Sequence, residues 1–287
     1  MRLIAVVMLA VVVLPSGAAA SELIARQATN VRLQVSRNGT KALLSYRARG
    51  RTWYVLAGGA INARQPVLGG RQVSFHLRRS TKRPRFKGGC QRLEPLLPDL
   101  VTACTAGSSS WAVQSWQSAL PNFGVEADGI RAQRELHLSH WSGPSAVLTM
   151  KADWSFRGKW QHIYGSLTYL GQPVHGFGTT RTGVPTDTFG RVVHLDTLDS
   201  GYGKGWRREN SFVTHNPWGN FCYDLTPHRD GLASQGLAYR VKVDGPGLTP
   251  DVGAYVATPG LFDLQRDLAA NAEQAEMAPG DSLCRPS

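Results

Sequence analysis

The sequence predicts an all-β protein, mainly antiparallel and folded as a β-sandwich, a jelly roll or a barrel, with a short C-terminal helix. Short segments of alternating apolar and polar residues recur along most of the chain, as expected of strands with one buried face. Gly, Pro and Asn-Gly turn signals separate these segments at short intervals, which is typical of antiparallel sheets. The helix is predicted because Leu261, Leu264 and Leu268 recur at helical spacing.

Residues 1–20 have the features of a cleavable secretory signal peptide. Arg2 precedes an apolar run of 12 residues, and Ala18-Ala19-Ala20 provides a small-residue cleavage site before Ser21. The run is shorter than the roughly 20 apolar residues that a membrane-spanning helix needs. We therefore expect a secreted protein, extracellular or associated with the cell envelope, with no transmembrane segment in the mature chain.

The first predicted module, residues 21–88, is a basic β-meander. Asn38-Gly39 is its strongest turn signal, because both central positions of a type I′ hairpin turn need positive φ. The strands predicted in this module are 31–35, 42–46, 53–57 and 73–77.

Positive charge is concentrated in the N-terminal third of the chain. The formal net charge is +12, and residues 21–106 hold 16 Lys or Arg against 3 Asp or Glu. A dense basic tract attracts polyanions by its long-range field and by counterion release. The residues predicted to bind a polyanion are Arg78, Arg79, Lys82, Arg83, Arg85 and Lys87. A solvated basic loop without a ligand is the alternative interpretation.

Four cysteines in an exported chain predict two disulfides. We expect Cys90–Cys104, which would close a short loop, and Cys222–Cys284, which would fix the C-terminal segment to the body of the protein. Because no C-x-x-C pair is present, no zinc site is expected. We predict neither a metal nor any other cofactor.

The main predicted β domain covers residues 89–259, and residues 260–287 form a C-terminal helix and tail. From Thr105 to Leu120 the pattern fits a helix or a strand equally well. We expect the C-terminal helix to be amphipathic and to pack on the sheet. The further strands predicted in the main domain are 135–141, 146–154, 161–169, 173–177, 191–195, 210–214, 220–225 and 237–243.

Candidate site residues lie in the polar, glycine-rich stretch 173–228. The catalytic candidates are His194, Asp196 and Glu209. His194 and Asp196 alternate on one predicted strand, which fits an acid–base pair, a metal site or an ordinary salt-bridged sheet. Trp206 is followed by two arginines, so an aromatic face for a sugar ring lies next to cations that bind carboxylate or phosphate groups in a bidentate manner. The alternative interpretation is a structural Arg–Glu pair. The residues predicted to bind a ligand are Trp206, Arg207, Arg208, His175 and His215.

Four stretches of the chain resemble a group of exported proteins of actinobacteria. These stretches are Trp111–Gln117, Leu136–Gly143, Leu195–Ser200 and Gly205–Phe212, and the similarity extends over most of the mature chain. The resemblance implies export and one shared architecture. It transfers no activity, substrate or site residue.

These observations favour a non-enzymatic protein that binds an anionic or carbohydrate ligand of the envelope. Export directs the basic tract towards an anionic polysaccharide or envelope polymer, and no nucleic acid is expected as a partner. A secreted hydrolase acting on envelope glycans is the first alternative, and it requires the three catalytic candidates to converge in one cleft. A structural or protein-interaction module is the second alternative.

Overall fold

The computed structural model confirms the predicted all-β class, with antiparallel strands and one C-terminal helix. Residues 1–20, the predicted signal peptide, lie outside the described residues. None of the helices in the described ranges is long and apolar enough to cross a membrane. The structure describes residues 21–59, 75–117, 134–173, 178–179, 185–186, 194–198, 206–209, 214–215, 219–225, 237–243, 245 and 249–279.

Twenty-one strands and one helix make up this part of the chain. In chain order they are β1 (Glu22–Arg26), β2 (Thr29–Ser36), β3 (Lys41–Ala48), β4 (Arg51–Gly58), β5 (His76–Ser80), β6 (Gly88–Gly89), β7 (Gln91–Arg92), β8 (Leu100–Ala106), β9 (Ser109–Gln117), β10 (Arg134–Trp141), β11 (Val147–Ser155), β12 (Trp160–Tyr169), β13 (Gln172–Pro173), β14 (Gly178–Thr179), β15 (Pro185–Thr186), β16 (His194–Leu198), β17 (Trp206–Glu209), β18 (Thr214–His215), β19 (Asn220–Leu225), β20 (Ala238–Val243), β21 (Val252–Ala257) and α1 (Leu264–Met277).

Two five-stranded sheets form an N-terminal sandwich. Their strand orders are β1-β10-β9-β8-β7 and β5-β4-β3-β2-β6. Leu33, Leu44 and Val55 from one sheet share a buried core with Trp111 and Leu138 from the other. This core combines residues from both sides of position 88, and the predicted domain boundaries stay predictions.

Two further sheets form a second sandwich, ordered β11-β12-β19-β18 and β17-β16-β20-β21. Ile163, Leu167 and Phe221 of the first sheet pack against Leu195 and Val241 of the second. Burial of these apolar side chains on the facing surfaces holds the two sheets together.

The ambiguous stretch 105–120 contains a strand, β9. It pairs with β8 on one side and β10 on the other, so it is interior to its sheet. Trp111 and Val113 enter the sandwich core, while Gln114 and Trp116 are buried as well. Burial on both faces removes the simple alternation from the sequence, which explains why the pattern was ambiguous.

The turn at Asn38-Gly39 joins β2 and β3 as predicted, but it is not a type I′ turn. Gly39 has φ of 73°, whereas Asn38 is not among the residues with positive φ. The Gly39 N–H donates to the Ser36 carbonyl at 2.8 Å. The tight turn is therefore centred on residues 37–38, with Gly39 in the left-handed conformation after it.

Helix α1 packs on the second sandwich through a face that is partly polar and partly apolar. Asp267, Ala270 and Gln274 are its buried residues, whereas Leu264 and Leu268 are 45% and 50% exposed. The Gln274 amide oxygen lies 2.6 Å from a ring nitrogen of buried His162 on β12. The packing on a sheet was expected, but polar contacts and a small apolar cluster that includes Ala270 and Tyr164 hold the helix there, and the leucine stripe faces outward.

Candidate functional site

A polar groove of about 960 Å³ lies on the outer face of the N-terminal sandwich. Strand alternation creates this face, because core residues such as Leu33, Leu44 and Val55 alternate with side chains that point away from the core. Among the described residues, no Asp or Glu lines the groove. Its polar lining comprises Asn30, Arg32, Gln34, Ser45, Arg47, Thr52, Tyr54, Arg83 and Thr102.

The polar side chains of the groove lack bonding partners within the described residues. Within the part of the chain that the structure describes, none of these nine side chains makes a hydrogen bond or an ion pair with another residue. Arg32 and Arg47 lie on neighbouring strands, and Tyr54 lies opposite Ser45 on the next strand. Cations, amide groups and an aromatic face therefore converge on a single open surface.

The predicted basic tract crosses this face. Strands β5 and β6 lie at opposite edges of one sheet, roughly 19 Å apart at about 4.8 Å per strand spacing. The eight Cα–Cα steps from Ser80 to Gly88 can span roughly 26 Å when extended, so the tract is long enough to cross the sheet with little slack. Arg83, Arg85 and Lys87 are exposed, and they alternate with half-buried Pro84 and Phe86. The two apolar residues hold the tract against the protein while its cations face solvent.

Arg78 and Arg79 occupy opposite faces of β5. Arg78 pairs with Leu56, which lies on the same face of β4 as the groove residue Tyr54, whereas Arg79 pairs with the core residue Val55. Burial raises the pKa of Glu22, and the nearby charge of Arg79 opposes that rise. Arg83 lines the groove, Arg78 lies on the groove face of β5 and Arg79 lies on its opposite face, while Lys82, Arg85 and Lys87 are exposed to solvent.

The predicted Cys90–Cys104 disulfide is confirmed and fixes the end of the tract. Its Cα atoms are 5.0 Å apart, and it joins the segment after β6 to buried Cys104 on β8. Cys222 is also disulfide-bonded. Cys284 lies outside the described residues, so the Cys222–Cys284 pairing stays a prediction.

Asp196 is the only catalytic candidate whose side chain the structure describes. It is 2% exposed, and Arg240 Nε donates to its Oδ2 at 2.9 Å. In the backbone register, His194 pairs with Lys242, and Glu209 pairs with Leu195. Asp196 therefore belongs to a buried ion pair between β16 and β20, and convergence of the three candidates stays a prediction.

The predicted ligand-binding residues of the second sandwich remain untested. Trp206, Arg207 and Arg208 lie on β17 and His215 lies on β18, but only their backbone is described. His175 lies outside the described residues.

A second polar group, which the sequence did not indicate, is buried between the two sandwiches. We call it the interface cluster, and its centre is Asp251. The Asp251 carboxylate accepts hydrogen bonds from Ser21 Oγ at 2.6 Å and from Trp116 Nε1 at 2.9 Å. Gln114 binds the Asp251 backbone at both its N–H and its carbonyl. The members of the interface cluster are Ser21, Asp99, Gln114, Trp116, Glu135, His137, Asp196, Arg240, Lys242 and Asp251.

Ser21, His137 and Glu135 form a hydrogen-bonded row within this cluster. Ser21 Oγ lies 2.9 Å from His137 Nδ1, and His137 Nε2 lies 3.2 Å from a Glu135 oxygen. Burial would raise the pKa of Glu135, but its contacts with His137 and Arg26 lower it below its usual value. The order resembles a catalytic triad, yet Ser21 is wholly buried and donates its hydroxyl proton to Asp251. The row is a structural contact, because a substrate cannot reach Ser21.

The other half of the interface cluster is cationic. Lys242 is wholly buried, donates to Asp99 Oδ2, and lies 4.4 Å from the centre of the Trp116 ring. Arg240 Nη1 lies 3.6 Å from the same Asp99 oxygen. Burial lowers the pKa of Lys242, and the charges of Asp99 and Asp251 oppose that effect.

Among the described residues, no group of three or more His, Cys, Asp or Glu side chains is arranged to hold a metal ion. Comparison with known protein families, with curated proteins and with solved structures finds no match to this chain.

Proposed function

We propose that this protein binds an anionic polysaccharide or a related envelope polymer, without catalysis, through the groove and the basic tract that crosses it. One observation carries the proposal: nine polar side chains, three of them arginines, line one open groove without partners in the described part of the chain. Arginine donates paired hydrogen bonds that match carboxylate and phosphate groups. Tyr54 adds an apolar face against which a sugar ring can pack.

The acidic residues of the N-terminal third do not neutralise the groove. Glu22 lies on β1 in the other sheet, and Glu94 pairs with Arg92 at 3.1 Å. Asp99 is held by Lys242 and Arg240 at the interface. A polyanion in the groove would therefore meet little competition from these three carboxylates.

The proposed site of action is outside the cytoplasm, after removal of residues 1–20. The signal sequence and the Cys90–Cys104 disulfide support this location, because disulfides persist in oxidising compartments. Carboxylated and phosphorylated polymers are the polyanions of that environment. Nucleic acid is not the partner we propose.

Affinity measurements with defined polymers test the proposal. We expect polygalacturonate and poly(glycerol phosphate) to bind, and uncharged dextran not to bind. Arg32→Gln with Arg47→Gln should weaken binding roughly 30- to 1000-fold, since each lost charge-assisted contact contributes about 1–2 kcal/mol. Arg157→Gln, which removes an exposed cation of the second sandwich, is the matched control. Equal binding by the double variant and the wild type would refute the proposal.

A further inference from the structure

One contact of the interface cluster joins a buried amine to a carboxylate across 143 residues of sequence. Lys242 lies on β20, which is paired on both sides by β16 and β21. Asp99 immediately precedes β8, with φ of 54°, and its backbone carbonyl accepts the Ser115 N–H at 2.9 Å. The fold therefore fixes both partners, one on each sandwich.

We propose that Lys242 and Asp99 form an intramolecular isopeptide bond that joins the two sandwiches covalently. Lys242 Nζ forms a bond to Asp99 Cγ, and the Cγ–Oδ2 bond breaks. Oδ2 leaves as water with two of the three ammonium protons, and the third hydrogen stays on the amide nitrogen. An ammonium and a carboxylate become a neutral amide and one water, so the step needs no oxidant, reductant or other reagent.

The surroundings of the pair favour the neutral product. The Lys242 side chain is 1% exposed, and the indole of Trp116 covers its amine on one side. Keeping a charge at such a site is costly, and amide formation removes both the cation and the anion. Burial also lowers the pKa of Lys242, which increases the fraction of neutral amine that can act as a nucleophile.

Two neighbours have the chemistry to assist the step. The Arg240 guanidinium next to Asp99 can stabilise the negative charge that develops on the carboxyl oxygen during attack. The Asp251 carboxylate is wholly buried and acts electrostatically on Lys242. Its negative charge can stabilise the positive charge on the nitrogen during attack.

The protein contains a natural control for this reaction. Lys151 and Glu273 also form a Lys–carboxylate contact, but their side chains are 62% and 39% exposed. Water stabilises both charges there, and it competes for the carboxyl carbon. We expect this pair to remain an ion pair.

Mass spectrometry of the reduced protein tests the inference. An isopeptide bond lowers the intact mass by one water, about 18 Da, relative to the sequence. A tryptic digest should then contain one branched peptide that joins residues 93–131 to residues 241–266. Lys242→Arg and Asp99→Ala should each restore the full mass, whereas Lys151→Arg should retain the deficit.

The wild-type protein alone decides the outcome, so the test does not depend on the variants folding. A full sequence mass, with residues 93–131 and the sequence after Lys242 recovered as separate linear peptides, would overturn the inference. A deficit that maps to another position, such as a cyclised Asp244-Gly245, would overturn it as well.

Discussion

The groove and the interface cluster are both rich in charged residues, and they use charge in opposite ways. In the groove, Arg32, Arg47 and Arg83 have no acidic partner within the described ranges. In the interface cluster, Arg240 and Lys242 are buried against carboxylates. Buried charges must be paired, whereas exposed ones can remain available to a ligand. The difference separates residues that hold the fold together from residues that can bind something else.

The largest expected effect comes from removing the centre of the interface cluster. Asp251→Ala removes the carboxylate that accepts hydrogen bonds from the Ser21 hydroxyl and from the Trp116 indole N–H. We expect a loss of about 3 kcal/mol in the free energy of unfolding, measured by urea denaturation. Glu94→Ala, which breaks the exposed pair with Arg92, should leave the midpoint unchanged.

Polymer binding by the same variant tests whether the groove and the interface cluster are independent of each other. At temperatures where it is fully folded, Asp251→Ala should bind polygalacturonate like the wild type, because the groove lies on the other face of the first sandwich. Parallel losses of stability and affinity in this variant would show that the two regions are not independent.

A smaller loss of folding stability is expected at acidic pH. The pKa of Glu135 is lowered in the folded protein, so its stabilising contribution is present above its unfolded pKa of about 4.3 and is lost as the pH falls through the lower folded value. Glu135→Gln should therefore cost about 1 kcal/mol near neutral pH and flatten the loss of stability at acidic pH. Unfolding midpoints measured from pH 7 to pH 3 give this difference. Superimposable pH profiles for variant and wild type would contradict the assignment.

The smallest expected effect concerns the exposed face of helix α1. Leu268→Gln should change the free energy of unfolding by less than about 0.5 kcal/mol, because Leu268 is half exposed. Gln274→Leu should cost about 1–2 kcal/mol, because buried His162 loses its hydrogen bond to Gln274. Thermal denaturation of the two variants compares the Leu268 face of the helix with the Gln274 face. A larger loss of stability for Leu268→Gln than for Gln274→Leu would contradict the assignment of the Gln274 face as the buried one.

Local patterns in the sequence predicted the fold class well. Alternation over Val31–Val35 reflects a strand with one buried face, and this strand is β2. The short separation of Cys90 and Cys104 suited a loop-closing disulfide, which is present. The charge density between His76 and Lys87 identified the tract that crosses the groove. These features depend on neighbouring residues, so they are visible in one sequence.

Features that depend on distant residues were not predictable. Asp251 has partners 135 and 230 residues away, and nothing near it in the sequence indicates a hydrogen-bonding centre. The spacing of Leu264 and Leu268 correctly predicted a helix but not which face is buried. The sheet beneath α1 offers polar groups such as His162, which select Gln274 instead of leucine. Tertiary contacts decided these cases against the local pattern.

The salt dependence of polymer binding tests the central claim most directly. If the groove arginines neutralise the ligand, the logarithm of the affinity for polygalacturonate should fall linearly with the logarithm of the salt concentration. The slope should decrease by roughly one for each of Arg32, Arg47 and Arg83 changed to Gln, and it should not change in Arg157→Gln. The same slope in all four variants would contradict binding through the groove.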